Sequence, residues 1–202
     1  MRDAVIVSTA RTAIGRAYKG GFNDTKGATL GSYSLKPAIE RAGIDAGEVD
    51  DVLWGAALQQ GVQAGNLARQ VALRAGCPIG TSGMTIDRQC SSGLMSIATA
   101  AKQIITDRMD VVAAGGQESI SLVQTKEMRV MPDPELMQMH GAIYMPMLQT
   151  AETVAQRYGI SRDQQDEYAL QSQQRVAAAQ EAGKFDDEIV PVSTTHKVQD
   201  KE

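Results

Sequence analysis

Cysteine and histidine are scarce in this sequence, and their scarcity limits the site chemistry. The 202 residues contain two cysteines, Cys77 and Cys90, and two histidines, His140 and His196. Two cysteines do not make a disulfide framework, which favours a reducing compartment and predicts a cytoplasmic protein. Because the histidines lie at least 50 residues beyond Cys90, no zinc-ligand spacing occurs and we expect no metal centre.

Long apolar runs and basic clusters are missing as well. No apolar run approaches the roughly 18 residues of a membrane span, so we expect no membrane-spanning segment. Lys and Arg total 20 against 24 Asp and Glu, giving a net charge of −4 without a basic cluster, which argues against a nucleic-acid surface. The first 15 residues lack the apolar core and cleavage site of a signal peptide. The hydrophobic fraction of 43% is enough for a buried core.

Strand and helix patterns alternate through the first 116 residues. Short apolar runs predict strands, and apolar positions at helical spacing that stop at a glycine predict the helices between them. Such alternation predicts βαβ units and an α/β fold with a largely parallel sheet. The predicted strands are residues 4–7, 52–55, 84–86 and 110–114, and the predicted helices are residues 30–42, 66–75 and 91–106.

The pattern changes after about residue 121. Residues 122–150 hold six of the ten methionines and show no clear period, which predicts an irregular segment. Two helices are predicted next, over residues 150–158 and 161–182, the second opening with a capping box that starts at Ser161. A short strand is predicted over residues 189–192, followed by a polar tail.

The segment around Cys90 is the most informative. No charged residue occurs from Gln89 to Ala101, and Cys90 lies between a predicted strand and a predicted helix. Unpaired N–H groups and the dipole at a helix N-terminus favour a thiolate, which is the nucleophilic form of cysteine. The N–H of Cys90 would also help to hold an oxyanion. From these residues alone, a small buried apolar cysteine is an equally open interpretation.

Residues 87–94, Asp-Arg-Gln-Cys-Ser-Ser-Gly-Leu, resemble the acyl-accepting cysteine signature of the thiolases. Further similarity extends along essentially the whole chain in the family's order, which makes the resemblance specific and favours Cys90 as the nucleophile. The other segments that resemble the family are residues 5–15, 65–70, 114–119, 150–152 and 161–166.

The resemblance implies a fold and a domain organisation. Thiolases are five-layered αβαβα sandwiches built from two βαβ halves, with a mainly helical loop domain inserted in the first half. We therefore expect residues 1–119 to be the N-terminal half with the nucleophilic Cys90, and residues 120–202 to be an incomplete loop domain. The C-terminal half is expected to be absent, since family members run to roughly twice this length.

The resemblance also implies an activity in lipid and fatty acid metabolism. Cys90 would take an acyl group from acyl-CoA or 3-ketoacyl-CoA and pass it to acetyl-CoA or to free CoA, in Claisen condensation or thiolysis. Coenzyme A is a substrate in this scheme, and no cofactor or metal is implied. The expected assembly is a homodimer or a homotetramer, without nucleic-acid or membrane partners.

Several family features are missing or altered. The activating histidine of a Gly-His-Pro motif and the second cysteine of a Cys-x-Gly-Gly-Gly run do not occur in these 202 residues, and neither His140 nor His196 matches the family histidine. We therefore expect the chain alone to be inactive. Met147 matches a family methionine near the acyl pocket, but Pro146 stands in place of a histidine, which puts a narrow acetoacetyl-CoA preference in doubt.

Two other functions remain open from the sequence. The chain could be a non-catalytic thiolase-fold fragment that acts in binding or assembly. It could also be a cysteine hydrolase, if Cys90 pairs with His140 within hydrogen-bonding distance.

Overall fold

The protein consists of two compact units. The computed structural model describes residues 2–128 and 131–198. The first unit contains residues 2–128 and 188–198 and carries the sheet, and the second contains residues 131–187 and is helical. The predicted α/β class with a parallel sheet is confirmed.

The sheet places the ends of three strands at one edge. Strands β1 (Asp51–Gly55), β2 (Ser82–Ile86) and β3 (Val112–Gly116) run parallel in the order β2-β1-β3. The central strand β1 is buried at all five positions. Because all three strands are parallel, the loops after them leave from the same edge, where α/β proteins bind ligands.

Three helices of the first unit pack on this sheet. They are α1 (Gly27–Ala42), α2 (Leu67–Ala75) and α3 (Ser92–Lys102), and α3 contacts β1 and β3. Helices α1 and α2 end where the sequence predicts, at the left-handed residues Gly43 (φ 69°) and Gly76 (φ 105°). The core between α1, α2 and β1 includes Leu35, Ile39, Val52, Trp54, Leu67 and Val71.

The end of the third helix departs from a regular α-helix. The predicted helix over residues 91–106 continues from α3 into a π-helical turn at Gln103–Asp107. There Gln103 donates through Nε2 to the buried carboxylate of Asp51 at 2.9 Å. This bond gives the buried carboxylate of Asp51 a hydrogen-bond donor. A short helix, α4 (Ile120–Val123), follows β3.

The second unit contains α5 (Pro134–Met139), α6 (Met147–Tyr158) and α7 (Arg162–Glu181). The predicted capping box is confirmed, because Ser161 and Gln164 exchange side-chain to backbone hydrogen bonds. The prediction of an irregular segment over residues 122–150 is wrong at α5. Asp133 accepts from the N–H groups of Glu135 and Leu136, and a proline occupies the first helical position.

The compact units divide at different positions from the predicted boundary at residues 119/120. Residues up to 128 stay with the sheet because Gln60 Nε2 donates to the carbonyl oxygens of Val123 (2.5 Å) and Met128 (2.8 Å). The chain returns to the sheet-bearing unit at residue 188. The assignment of residues 120–202 to an incomplete loop domain stays a prediction.

Two predicted strands do not form. Residues 4–7 belong to no strand, and Val5, Ile6 and Val7 are each more than 70% exposed. The segment over residues 189–192 forms a single bridge, between Ile189 and Arg11. An apolar run becomes a strand only where another edge pairs with it, and no described strand pairs with the outer edge of β3. A groove of about 860 Å³ is lined by residues 4–17 and by β3.

Candidate functional site

Cys90 lies in the tight turn between β2 and α3, directly before the N-cap residue Ser91. Its side chain is exposed and forms no disulfide with the other cysteine, Cys77. Gln89, the residue before it, has a φ of 49°, a left-handed conformation that is uncommon for a residue other than glycine. A sharp turn with this conformation presents the Cys90 side chain at the sheet edge, as strained turns at functional sites do.

Hydrogen bonds within the turn hold its shape. The Ser92 hydroxyl accepts from the N–H of Arg88 at 2.9 Å and donates to the carbonyl oxygen of Gln89 at 2.6 Å. The Ser91 hydroxyl donates to the carbonyl oxygen of Arg88 at 2.8 Å, and the N–H of Gln89 donates to the Asp87 carboxylate at 2.8 Å. These bonds therefore link residues on the two sides of Cys90.

The N-terminus of α3 lacks a side-chain cap. Serine at this position usually accepts a hydrogen bond from a helix N–H, but the hydroxyls of Ser91 and Ser92 donate to carbonyl groups of the turn instead. Within residues 2–128 and 131–198, no group accepts a hydrogen bond from the N–H of Cys90. Positive helix-end charge and a free N–H donor thus lie beside the thiol.

Glycine allows β1 to end against this turn. A Cβ added to Gly55 would lie 2.6 Å from the carbonyl carbon of Ser92 and 2.7 Å from the nitrogen of Gly93. The carbonyl oxygen of Gly55 accepts from the N–H of Gln117 at 3.0 Å, and the N–H of Ala56 donates to Ile86 at 3.0 Å. The close contact fixes the start of α3, and hence Cys90, against the central strand.

A polar network that sequence reasoning missed joins the loops after β1 and β3. Gln63 is fully buried, donates to Glu118 at 2.5 Å, and accepts at Oε1 from the N–H of Ser119 at 2.8 Å. The Glu118 carboxylate also accepts from the N–H groups of Ala57 (2.8 Å) and Leu58 (3.3 Å). The only sequence signal here was the resemblance over residues 114–119, which does not identify Gln63.

The other candidate residues belong to other segments of the two units. Cys77 follows α2 and is buried, which raises the pKa of its thiol. His196 is in the tail of the first unit, and no hydrogen bond joins it to Cys90 in the described part of that unit. His140 and Met147 belong to the second unit, where Met147 begins α6 and is 71% exposed.

The described part of the chain carries neither a metal-binding cluster nor a helix that could span a membrane. Residues 2–128 and 131–198 contain no cluster of three or more His, Cys, Asp and Glu side chains suited to a metal ion. Their helices include none that combines the length and apolarity needed to cross a bilayer.

The chain is similar in sequence to a known protein family. A family model described as "Thiolase, N-terminal domain" matches residues 4–202. The chain is 43% identical over 195 residues to a 3-ketoacyl-CoA thiolase of Bacillus subtilis (strain 168), covering 96% of this chain and 50% of that protein. It is 40% identical over 206 residues to an acetyl-CoA acetyltransferase of Cupriavidus necator, covering 95% and 51%.

Structural comparison gives the same result. A crystal structure of the Bacillus anthracis acetyl-CoA acetyltransferase matches with a TM-score of 0.83 at 34% identity, over 98% of this chain and 53% of that one. The thiolase-like fold expected from the sequence is confirmed. The chain spans about half the length of the curated relatives it matches.

Proposed function

This chain belongs to the thiolase family, and we propose that it supplies the acyl-accepting cysteine of an acyl-CoA acyltransferase. The proposed nucleophile is Cys90, and the proposed substrates are acetyl-CoA and acyl-CoA or 3-ketoacyl-CoA thioesters. The observation that carries the proposal is the placement of an exposed thiol beside the uncapped N-terminus of α3. The names of the relatives, a thiolase and acetyltransferases, support the substrate class.

The proposed first step forms a thioester on the enzyme. The Cys90 thiolate attacks the thioester carbonyl carbon of an acyl-CoA, a new carbon–sulfur bond forms, and the coenzyme A thiolate leaves and takes a proton. The carbonyl oxygen carries negative charge in between, and the free N–H of Cys90 is a donor for it. In thiolysis the attacked carbon is the 3-keto carbon, and acetyl-CoA leaves after the carbon–carbon bond breaks and the carbanion is protonated.

The second step passes the acyl group on. In the cleaving direction free coenzyme A attacks acyl-Cys90, and in the condensing direction the acetyl-CoA carbanion attacks it, so both directions regenerate the thiol. Each direction needs a group that moves a proton at the attacking carbon or sulfur. The family's histidine and second cysteine motifs do not occur among these 202 residues. We therefore propose that this chain alone forms the acyl-enzyme without sustained turnover.

Further proposals concern substrate contact, cellular location, assembly and metabolic role. Met147, exposed at the start of α6, is proposed to contact the acyl chain, since an adaptable methionine suits varied acyl groups. The two free cysteines are in keeping with a reducing, cytoplasmic location. A homodimer or homotetramer and a role in lipid metabolism are proposed from the family resemblance.

Acetyl transfer to the protein tests the proposed function. The chain is incubated with acetyl-CoA, and peptides are mapped by mass spectrometry before and after hydroxylamine, which cleaves thioesters. We expect one hydroxylamine-sensitive acetyl group on Cys90, retained in Cys77→Ser and lost in Cys90→Ser. Absence of the group, or its appearance on Cys77, would contradict the nucleophile assignment. Continuous formation of acetyl-CoA from 3-ketoacyl-CoA and free coenzyme A would contradict the proposal that the chain alone does not turn over.

A further inference from the structure

The Gln89–Cys90 peptide group joins the turn directly to the residue that bears the reacting thiol. Its carbonyl oxygen belongs to Gln89 and its N–H belongs to Cys90, and the two point in opposite directions because a trans peptide is planar. Whatever holds the carbonyl therefore also sets the direction of the N–H. The carbonyl of Gln89 accepts from the Ser92 hydroxyl at 2.6 Å and from the Ser92 N–H at 3.1 Å.

Ser92 also holds the Asp87–Arg88 peptide group. Its hydroxyl oxygen accepts from the N–H of Arg88 at 2.9 Å while its hydrogen is donated to Gln89, so one hydroxyl fills both of its roles. The residue is 4% exposed. Water therefore has little access to replace these bonds, and removal of the hydroxyl leaves two backbone groups without this partner.

The backbone at Gln89 needs this support. A φ of 49° is costly for a residue with a Cβ. The Gln89–Cys90 peptide that follows can rotate about the ψ of Gln89 and the φ of Cys90 once its carbonyl loses the bond to the Ser92 hydroxyl. Such a rotation would turn the Cys90 N–H away from its present direction and move the thiol relative to the end of α3. The neighbouring hydroxyl of Ser91 bonds to a different carbonyl, that of Arg88, and Ser91 is exposed.

We propose that Ser92 is the positioning residue that holds the Gln89–Cys90 peptide in the orientation that activates Cys90. It acts by directing the Cys90 N–H and by keeping the thiol beside the uncapped N-terminus of α3. Its side-chain hydrogen bonds are to backbone groups of Arg88 and Gln89, so its role is positioning rather than catalytic. The inference rests on the proposed function of Cys90 as nucleophile, but its test depends on the reactivity of the thiol rather than on acyl transfer.

The test measures alkylation of Cys90 in the 202-residue chain. Rates with neutral iodoacetamide and anionic iodoacetate are followed by mass spectrometry for the wild type, Ser92→Ala, Ser91→Ala and Ser92→Thr. We expect Ser92→Ala to slow alkylation of Cys90 by iodoacetamide about tenfold. This is a smaller loss of rate than a misplaced catalytic group can cause. Ser91→Ala should stay within about twofold of the wild type, because its bond does not involve the Gln89–Cys90 peptide.

The ratio of the two reagents separates positioning from general loosening. The positive end of α3 attracts the anionic reagent, so the iodoacetate-to-iodoacetamide ratio should fall in Ser92→Ala and hold in Ser92→Thr, which retains the hydroxyl. Alkylation of Cys77 reports unfolding, because Cys77 is buried and should stay unreactive in every folded variant. An unchanged Cys90 rate and ratio in Ser92→Ala would overturn the proposal.

Two remaining outcomes are also decisive. If Ser92→Ala exposes Cys77 to alkylation, that variant has lost its fold and Ser92→Thr decides. A wild-type rate and reagent ratio in Ser92→Thr support the proposal. Loss of that rate and ratio in Ser92→Thr, with Cys77 still protected, overturns it. If wild-type Cys90 reacts no faster than glutathione, the activation that the proposed function requires is absent. By contrast, fast alkylation that survives in Ser92→Ala rejects only the role of Ser92.

Discussion

The side-chain amide of Gln63 donates a hydrogen bond to the carboxylate of Glu118 at 2.5 Å and joins the loop after β1 to the loop after β3. The same glutamine accepts from the buried N–H of Ser119 and donates to the carbonyl oxygen of Leu58. Because these loops and the Cys90 turn leave the same sheet edge, the network braces the surface on which the proposed nucleophile lies.

We expect Gln63→Leu to lower the free energy of unfolding by about 2 kcal/mol, since buried polar groups lose their partners. Chemical denaturation followed by circular dichroism measures this. Gln59→Leu is the matched control, because Gln59 is exposed and makes one bond, to the carbonyl of Ala56. An equal loss in both variants would show that burial of the network contributes nothing.

Gly55→Ala should move the start of α3 away from β1. The added methyl would lie under 3 Å from backbone atoms of Ser92 and Gly93, which cannot rotate aside. We expect a loss of about 1–3 kcal/mol in unfolding free energy, as in overpacked cores, together with slower alkylation of Cys90. Gly93→Ala is the control, since a Cβ there meets nothing within 4 Å. Wild-type stability of Gly55→Ala would be inconsistent with the observed approach of the two elements.

Gln89→Val tests the left-handed turn before Cys90. A β-branched side chain at a φ of 49° is strained, and we expect a loss of about 1–3 kcal/mol in the free energy of unfolding. Gln89→Gly should be tolerated because glycine adopts this conformation readily. Thermal unfolding of the two variants decides the point. A less stable glycine variant would mean that the Gln89 side chain, and not its backbone, is what the turn requires.

Asp24 should hold the tail of the first unit in a pH-dependent way. Its carboxylate lies 3.1 Å from Lys197 Nζ and 3.6 Å from Lys26 Nζ, and the hydrogen bond with Lys197 lowers the pKa of Asp24 below its usual 3.8. A lowered pKa means that the stabilisation is complete above pH 3.8 and is lost as the pH falls through the folded-state value.

Asp24→Asn therefore mimics the acid state at neutral pH. We expect faster tryptic cleavage at Lys197 in this variant, measured by mass spectrometry of the released tail. Glu167→Gln removes an equal charge from an exposed site on α7 and should leave the rate at Lys197 unchanged. Equal cleavage in the wild type and in Asp24→Asn would show that the tail is held by its other contacts, such as the bond from the N–H of Lys197 to Asn23.

The regular elements were predictable because their signals are local. The helix ends at Gly43 and Gly76 and the capping box at Ser161 each depend on residues within one turn of one another. The position of Cys90 between β2 and α3 also followed from the adjoining patterns.

The errors and omissions concern partners that are distant in sequence. The apolar residues 4–7 resemble any buried strand, but whether they pair is decided by another edge of the sheet. Gln63 and Glu118 lie 55 positions apart, and no period or motif connects them. The role of Ser92 in the turn depends on the left-handed conformation of Gln89, which no local rule assigns to a glutamine.

The outer edge of β3, with which no described strand pairs, affects how this chain behaves in solution. Backbone N–H and C=O groups at an open edge are a template for any extended peptide, and here exposed Val5, Ile6 and Val7 lie along the same groove. Purified alone, the chain should self-associate as its concentration rises and should bind hydrophobic dyes. Dilute solutions are therefore the practical condition for the measurements above. Those that do not heat the protein also gain from low temperature, because weaker hydrophobic attraction on cooling limits such aggregation.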